Sequence, residues 1–152
     1  MLRESVWEKR DFFTDQCLLI DDFAFSLDDI EHGILRWNGP RKKEKPDQFL
    51  AGDERLKLMV QTMDYRVHFA LNCGSLSCPP IAYYSQGKID EQLRLAEESF
   101  SATEFVINQE GKGIDCSSIF LWYRSEFGNH YLNDSVLSKY TVNERPFIWK
   151  IQ

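Results

Sequence analysis

Tyr65-Arg66-Val67-His68-Phe69-Ala70-Leu71-Asn72-Cys73-Gly74-Ser75-Leu76-Ser77-Cys78-Pro79-Pro80 decides how this chain is read. Val67, Phe69 and Leu71 alternate with Arg66, His68, Ala70 and Asn72, the period of a β-strand, and both faces are apolar enough to place that strand inside a sheet. Gly74 and the Pro79-Pro80 pair end it. The turn beyond carries two thiols and two hydroxyls a few residues after an imidazole, and a loop held by a rigid strand is where chemistry is commonly placed.

Upstream, Cys17-Leu18-Leu19-Ile20 and Phe23-Ala24-Phe25 straddle Asp21-Asp22, the pattern of a short hairpin. Ser26 opens a helix as its N-cap, with Asp28 and Asp29 at the positive end of the helix dipole and Leu27, Ile30, Ile34 and Leu35 as its apolar face. Asn38-Gly39-Pro40 stops that helix, and the stretch from Arg41 to Met63 is left open between a short helix and a strand. Downstream, Ile89, Leu93, Ala96 and Phe100 define an amphipathic helix. Phe105-Val106-Ile107 and Ile114 flank a turn whose glycines, Gly111 and Gly113, can take positive backbone angles. Ser117 or Ser118 caps a second apolar stripe, Ile119, Phe120, Tyr123 and Phe127, ended by Gly128. Pro146 to Ile151 alternates as an edge strand would.

Strands mixed irregularly with helices predict an α+β fold: one domain over residues 1–152, with a mixed or antiparallel sheet packed by two to four helices. The 152 residues suit one compact core, and 43% hydrophobic with 14% aromatic content fits a packed interior. A net charge of -6 argues against affinity for nucleic acid or an anionic membrane. The one dense basic run, Arg41-Lys42-Lys43-Glu44-Lys45, reads as a solvated loop between Gly39-Pro40 and Pro46. No apolar run is long enough to span a membrane, and the charged start is unlike a signal peptide, so a cytoplasmic location is the default expectation. The four cysteines, Cys17, Cys73, Cys78 and Cys116, are too few for a disulfide scaffold and are read as reduced.

Three blocks, Ser26 to Arg36, Arg66 to Pro80 and Ile119 to Gly128, resemble in content and order the domain of unknown function 547 family. The likeness runs from about Val6 to Arg145. It implies no activity. Members of the family carry an upstream helical block with Trp-Ile-Asn and Tyr-Asn-Ala patterns, and this chain begins after it. The resemblance therefore implies a fragment, a shortened product or a member whose core a protein partner or a second copy completes.

Three functional readings follow. The first is a structural or protein-interaction module, with the Cys73 to Pro80 loop as a rigid turn. The second is a thiol-dependent hydrolase or transferase, with Cys73 as nucleophile and His68 or His32 as base. Papain-like enzymes place such a nucleophile at a helix start, which Pro79-Pro80 disfavours at Cys73. The third is a redox-sensitive Cys73/Cys78 pair, its four-residue spacing wider than that of thioredoxin-type sites. Arg36 and Arg66, with Glu31, Ser75 and Ser77, form a candidate set for a small anionic or polar ligand. Adjacent Glu31 and His32 point about a hundred degrees apart on a helix and make no dyad. Zinc would need His32, His68 or Cys116 as added ligands, which no spacing demands, so no metal or cofactor is assigned.

Overall fold

The computed structural model describes residues 4–9, 11–16, 18–39, 46–108 and 110–151, apart from the Trp7 side chain. Cys17, Pro40 and the basic run 41–45 lie outside the described residues. The fold class is α+β, as the sequence implies, and the described strands form two small sheets. The chain divides into two compact units, Val6–Asp64 and a second built from Met1–Ser5 with Tyr65–Gln152. No helix among the described residues is long and apolar enough to cross a membrane.

In the unit Val6–Asp64 the hairpin is present: β1 (Leu18–Ile20) pairs antiparallel with β2 (Phe23–Phe25), Leu18 opposite Phe25. Ser26 caps the next helix as its type predicts. Its Oγ accepts from the Asp29 N–H at 3.0 Å while Asp29 Oδ2 accepts from the Ser26 N–H at 2.9 Å, a reciprocal capping box. The winding that follows is not α. The N–H groups of Arg36 and Asn38 donate five residues back, to Glu31 and Gly33, so Asp29–Leu35 is a π-helix. Gly33 permits the packing, because a Cβ there would lie 2.2 Å from the Phe49 ring. The segment that periodicity left open holds a 3-10 turn, Glu54–Leu58, capped by Asp53.

In the second unit, α1 (Ile89–Glu104) is the predicted amphipathic helix, burying Leu93 and Phe100. It leads into the predicted hairpin of β3 (Phe105–Asn108) and β4 (Gly113–Ser117). The positive angle in that turn belongs to Lys112 (φ 47°), not to a glycine. Gly113 instead starts the central strand, where a side chain would press on Asn143. Strand β5 (Thr141–Arg145) runs parallel to β4, with Ile114 opposite Val142, giving a mixed sheet of order β3-β4-β5. Parallel neighbours need a crossover. Here it consists of α2 (Ser118–Trp122), α3 (Arg124–Phe127) and α4 (Asp134–Leu137). The expected single helix before Gly128 is thus two short ones meeting at Tyr123, with Ser117 as the first cap and Gly128 (φ 55°) as the stop.

Two strand expectations are corrected. Tyr65–Phe69 is a 3-10 turn, with the Ala70 and Leu71 N–H groups donating to the Val67 carbonyl. A strand would send consecutive side chains to opposite faces. The turn instead buries both His68 and Phe69, and Phe69 enters a cluster with Phe100, Phe120 and Phe127 at ring separations of 5.5–5.7 Å. Tertiary packing has overridden the alternation. The Pro146 to Ile151 segment makes isolated bridges, Lys150 with Ser5 and Ile151 with Ser75, while the real strand lies just before it. Thr141 to Arg145 is mostly polar and half-exposed, so its sequence carries no alternating signal.

Candidate functional site

The segment after Phe69 is shaped by Asn72. Its Oδ1 accepts from the Gly74 N–H at 2.6 Å and its Nδ2 donates to the Pro79 carbonyl at 2.5 Å, so one side chain ties the two ends of the loop together. Gly74 takes a φ of 82°, open to glycine at little cost. The Cys78 N–H then donates to the Ser75 carbonyl at 3.0 Å, turning the chain back on itself.

This fold-back brings Cys73 and Cys78 together. Their sulfurs lie 2.8 Å apart, and the Cys73 N–H donates to Cys78 Sγ at 3.1 Å. The Ser75 hydroxyl, fully buried, is 3.2 Å from Cys73 Sγ. Both thiols are free and part-buried. Hydrogen bonding from Cys78 and then from Ser75 outweighs burial and lowers the Cys73 pKa to about 6. The same proton, held between two sulfurs, raises that of Cys78. The contact between the sulfurs thus favours charge on Cys73 and the proton on Cys78. Cys116 is also free but sealed in the core, where burial pushes its pKa up to about 11.

His68 is engaged elsewhere. Its Nε2 lies 2.8 Å from Glu126 Oε2, its ring stacks on Tyr123 at 3.7 Å, and its buried Nδ1 has no hydrogen-bond partner among the described residues. Among the described residues, Cys73 Sγ is paired with a hydroxyl and a second sulfur, not with His68. His32 belongs to the other unit, where Arg36 Nη1 meets its Nδ1 and Asp28 Oδ1 is 3.9 Å from its Nε2. Glu31 Oε1 lies 3.9 Å from His32 Nδ1, too far for a hydrogen bond.

The proposed ligand set draws on both units. Arg36 and Glu31 are in the unit Val6–Asp64, whereas Arg66 is in the other and pairs with Asp90 at 2.8 Å. Ser75 serves the thiol, and the Ser77 Oγ accepts from the Ile148 N–H at 2.8 Å. Among the described residues no three His, Cys, Asp or Glu side chains converge as a metal site. Sequence reasoning missed Asn72, whose position between a buried aromatic and a Cys-Gly pair is the signal of an Asx turn.

No curated protein and no solved structure matches this chain. Residues 1–100 match the sequence profile of the family described as Protein of unknown function, DUF547. That span contains the first two of the three blocks, the stapled dithiol loop among them, and leaves the third outside; the chain belongs to the DUF547 family.

Proposed function

We propose that this chain is a thiol-disulfide redox module in which Cys73 is the attacking thiol and Cys78 the resolving one. The observation that supports it is the 2.8 Å approach of the two sulfurs, within about 0.8 Å of the ~2.05 Å of a disulfide bond. Bond formation then requires little movement of the loop. With a pKa of about 6, Cys73 is roughly nine-tenths thiolate at pH 7. Its neighbours are a sulfur and a hydroxyl, which favours disulfide exchange over hydrolysis, since a hydrolase would use an imidazole to shuttle protons to the leaving group.

The oxidant is a low-molecular-weight disulfide, RSSR. The Cys73 thiolate attacks one sulfur, the RS–SR bond breaks, and the departing thiolate takes a proton from water. Cys78 then loses its proton, its sulfur attacks that of Cys73, and the second RS⁻ leaves and is protonated. Two protein thiols become one disulfide, and RSSR becomes two RSH. A reducing cytoplasm would reset the pair, and neither nucleic acid nor membrane is needed as a partner.

Equilibration of the full chain with graded mixtures of reduced and oxidised glutathione, followed by alkylation and mass mapping, tests this. The expected product is a Cys73–Cys78 disulfide two hydrogens lighter, with Cys116 unlinked. Cys73 and Cys78 both still alkylated at the most oxidising ratio would overturn the proposal.

The interaction-module reading is favoured by one separate observation. Ile81 and Tyr83 are 70% and 93% exposed on a stretch outside helix and strand. A second copy of the chain would be the simplest occupant of that surface. Sedimentation of the native chain beside a Tyr83→Ser variant tests it; a native monomer at high concentration excludes self-association there.

A further inference from the structure

The residues enclosed by the two cysteines also hold the end of the chain. The Leu76 N–H donates to the Lys150 carbonyl at 2.8 Å, the Ile148 N–H donates to Ser77 Oγ at 2.8 Å, and Ser75 bridges Ile151. On its other edge the same segment bridges Ser5 through Lys150, and the Ile151 N–H donates to the Glu4 carbonyl at 2.9 Å. Its aromatics close against the crossover: Trp149 stacks on Trp122 at 5.9 Å, Phe147 lies 5.0 Å from Trp122, and the two are 4.5 Å apart. Ser75 therefore meets the Cys73 sulfur on one side, and Ser75, Leu76 and Ser77 together hold the docked strap on the other.

We infer that residues 147–151 form a redox-sensitive strap, docked when the Cys73/Cys78 pair is a dithiol and loosened when it is a disulfide. The inference rests on the redox reading of that pair. Oxidation converts the Cys73 thiolate, which the buried Ser75 hydroxyl faces, into a neutral disulfide sulfur that is a poorer acceptor. Drawing the sulfurs the remaining ~0.8 Å to bonding distance also tightens the four-residue loop between them, a small displacement that residues 74–77 pass to the backbone groups holding the strap. Ser75 is at once the thiolate's neighbour and the strap's bridge partner, so the two changes act on one residue. Linkage makes the coupling reciprocal: a strap that prefers the dithiol holds the pair reduced, and loosening the strap favours the disulfide.

Amide hydrogen exchange on the full chain, reduced and then oxidised with glutathione disulfide, provides the test, with Trp emission as a second readout. Oxidation is expected to speed exchange at Leu76, Ile148 and Ile151 at least fivefold, the lower range of such couplings, and to red-shift Trp emission. The Cys78→Ser variant should show neither change. Ser77→Ala, which removes the acceptor for the Ile148 N–H without touching either thiol, should raise the disulfide-to-dithiol ratio by a few-fold at a fixed glutathione ratio. If the disulfide forms and exchange in the strap is unchanged, the strap inference falls and the redox reading stands. If no disulfide forms at all, both fall together.

Discussion

Asn72 holds Pro79: a single amide bonds the carbonyl seven residues ahead at 2.5 Å while its oxygen receives the Gly74 N–H. This staple and the Cys78 N–H bond to the Ser75 carbonyl together close the loop in which the two cysteine sulfurs lie 2.8 Å apart. Replacing Asn72 with Ala is expected to cost about 1–3 kcal/mol of stability through two lost, part-buried hydrogen bonds. It should also move the pH midpoint of Cys73 alkylation from about 6 toward the ordinary thiol value of about 8.5. Denaturant unfolding and iodoacetamide rates measured across pH check the two effects separately. An unchanged alkylation midpoint would show that the staple does not set the thiol geometry.

The dithiol gives stability a characteristic pH dependence. The unfolded chain ionises both thiols near 8.5, whereas the folded chain ionises Cys73 near 6 and keeps Cys78 protonated well above the ordinary value. Between about pH 6 and 8.5 the unfolded state binds more protons, so stability rises with pH. Above about 8.5 the folded state binds more, and stability falls. The pair's contribution therefore peaks near pH 8.5. Thermal melts of the native chain and of a Cys73→Ser, Cys78→Ser double variant should differ by a curve with that maximum, and a flat difference would contradict the assignment of the thiolate.

Phe69 is the pivot of the aromatic core, 1% exposed and in ring contact with Phe100, Phe120, Phe127 and Tyr131. Phe69→Ala should destabilise the unit by about 3–5 kcal/mol through lost burial and a residual cavity. Urea unfolding measures this, and a loss under about 1 kcal/mol would mean that the cluster collapses around the gap.

Gly33 makes a sharper sign prediction. In an exposed helix, Ala is the better helix former by about 1 kcal/mol, yet here its methyl would meet the Phe49 ring at 2.2 Å. Overpacking should win, and Gly33→Ala should lower stability by about 1–3 kcal/mol. Far-ultraviolet circular dichroism during thermal unfolding would reveal a gain instead if the ring can swing aside. Phe49 is confined, however, by the Asn38 side chain on its backbone and the Arg55 guanidinium 4.3 Å from its ring.

Local chemistry was readable wherever it is settled by neighbours in sequence. The β1-β2 hairpin, the Ser26 cap, the α1 face, the β3-β4 hairpin and the Gly128 stop each depend on a few adjacent residues whose backbone preferences agree. The Arg66 to Pro80 block also contains the two sulfurs that the fold brings together. Nothing local could reveal that Tyr65–Phe69 winds into a turn, since its alternating pattern fits a strand and only the aromatic partners from α1, α2 and α3 reward burying two consecutive side chains. The same holds for β5, whose pairing comes from a parallel neighbour more than twenty residues away rather than from its own hydropathy. His68 shows the limit most clearly: its type and place suggested a base for Cys73, and tertiary packing gave its Nε2 to Glu126 instead. Sequence thus determined which groups are available and which short turns the backbone favours. Tertiary structure decided their partners, because a side chain's pairing depends on what the rest of the chain brings within 3–4 Å, and that proximity is a property of the whole fold.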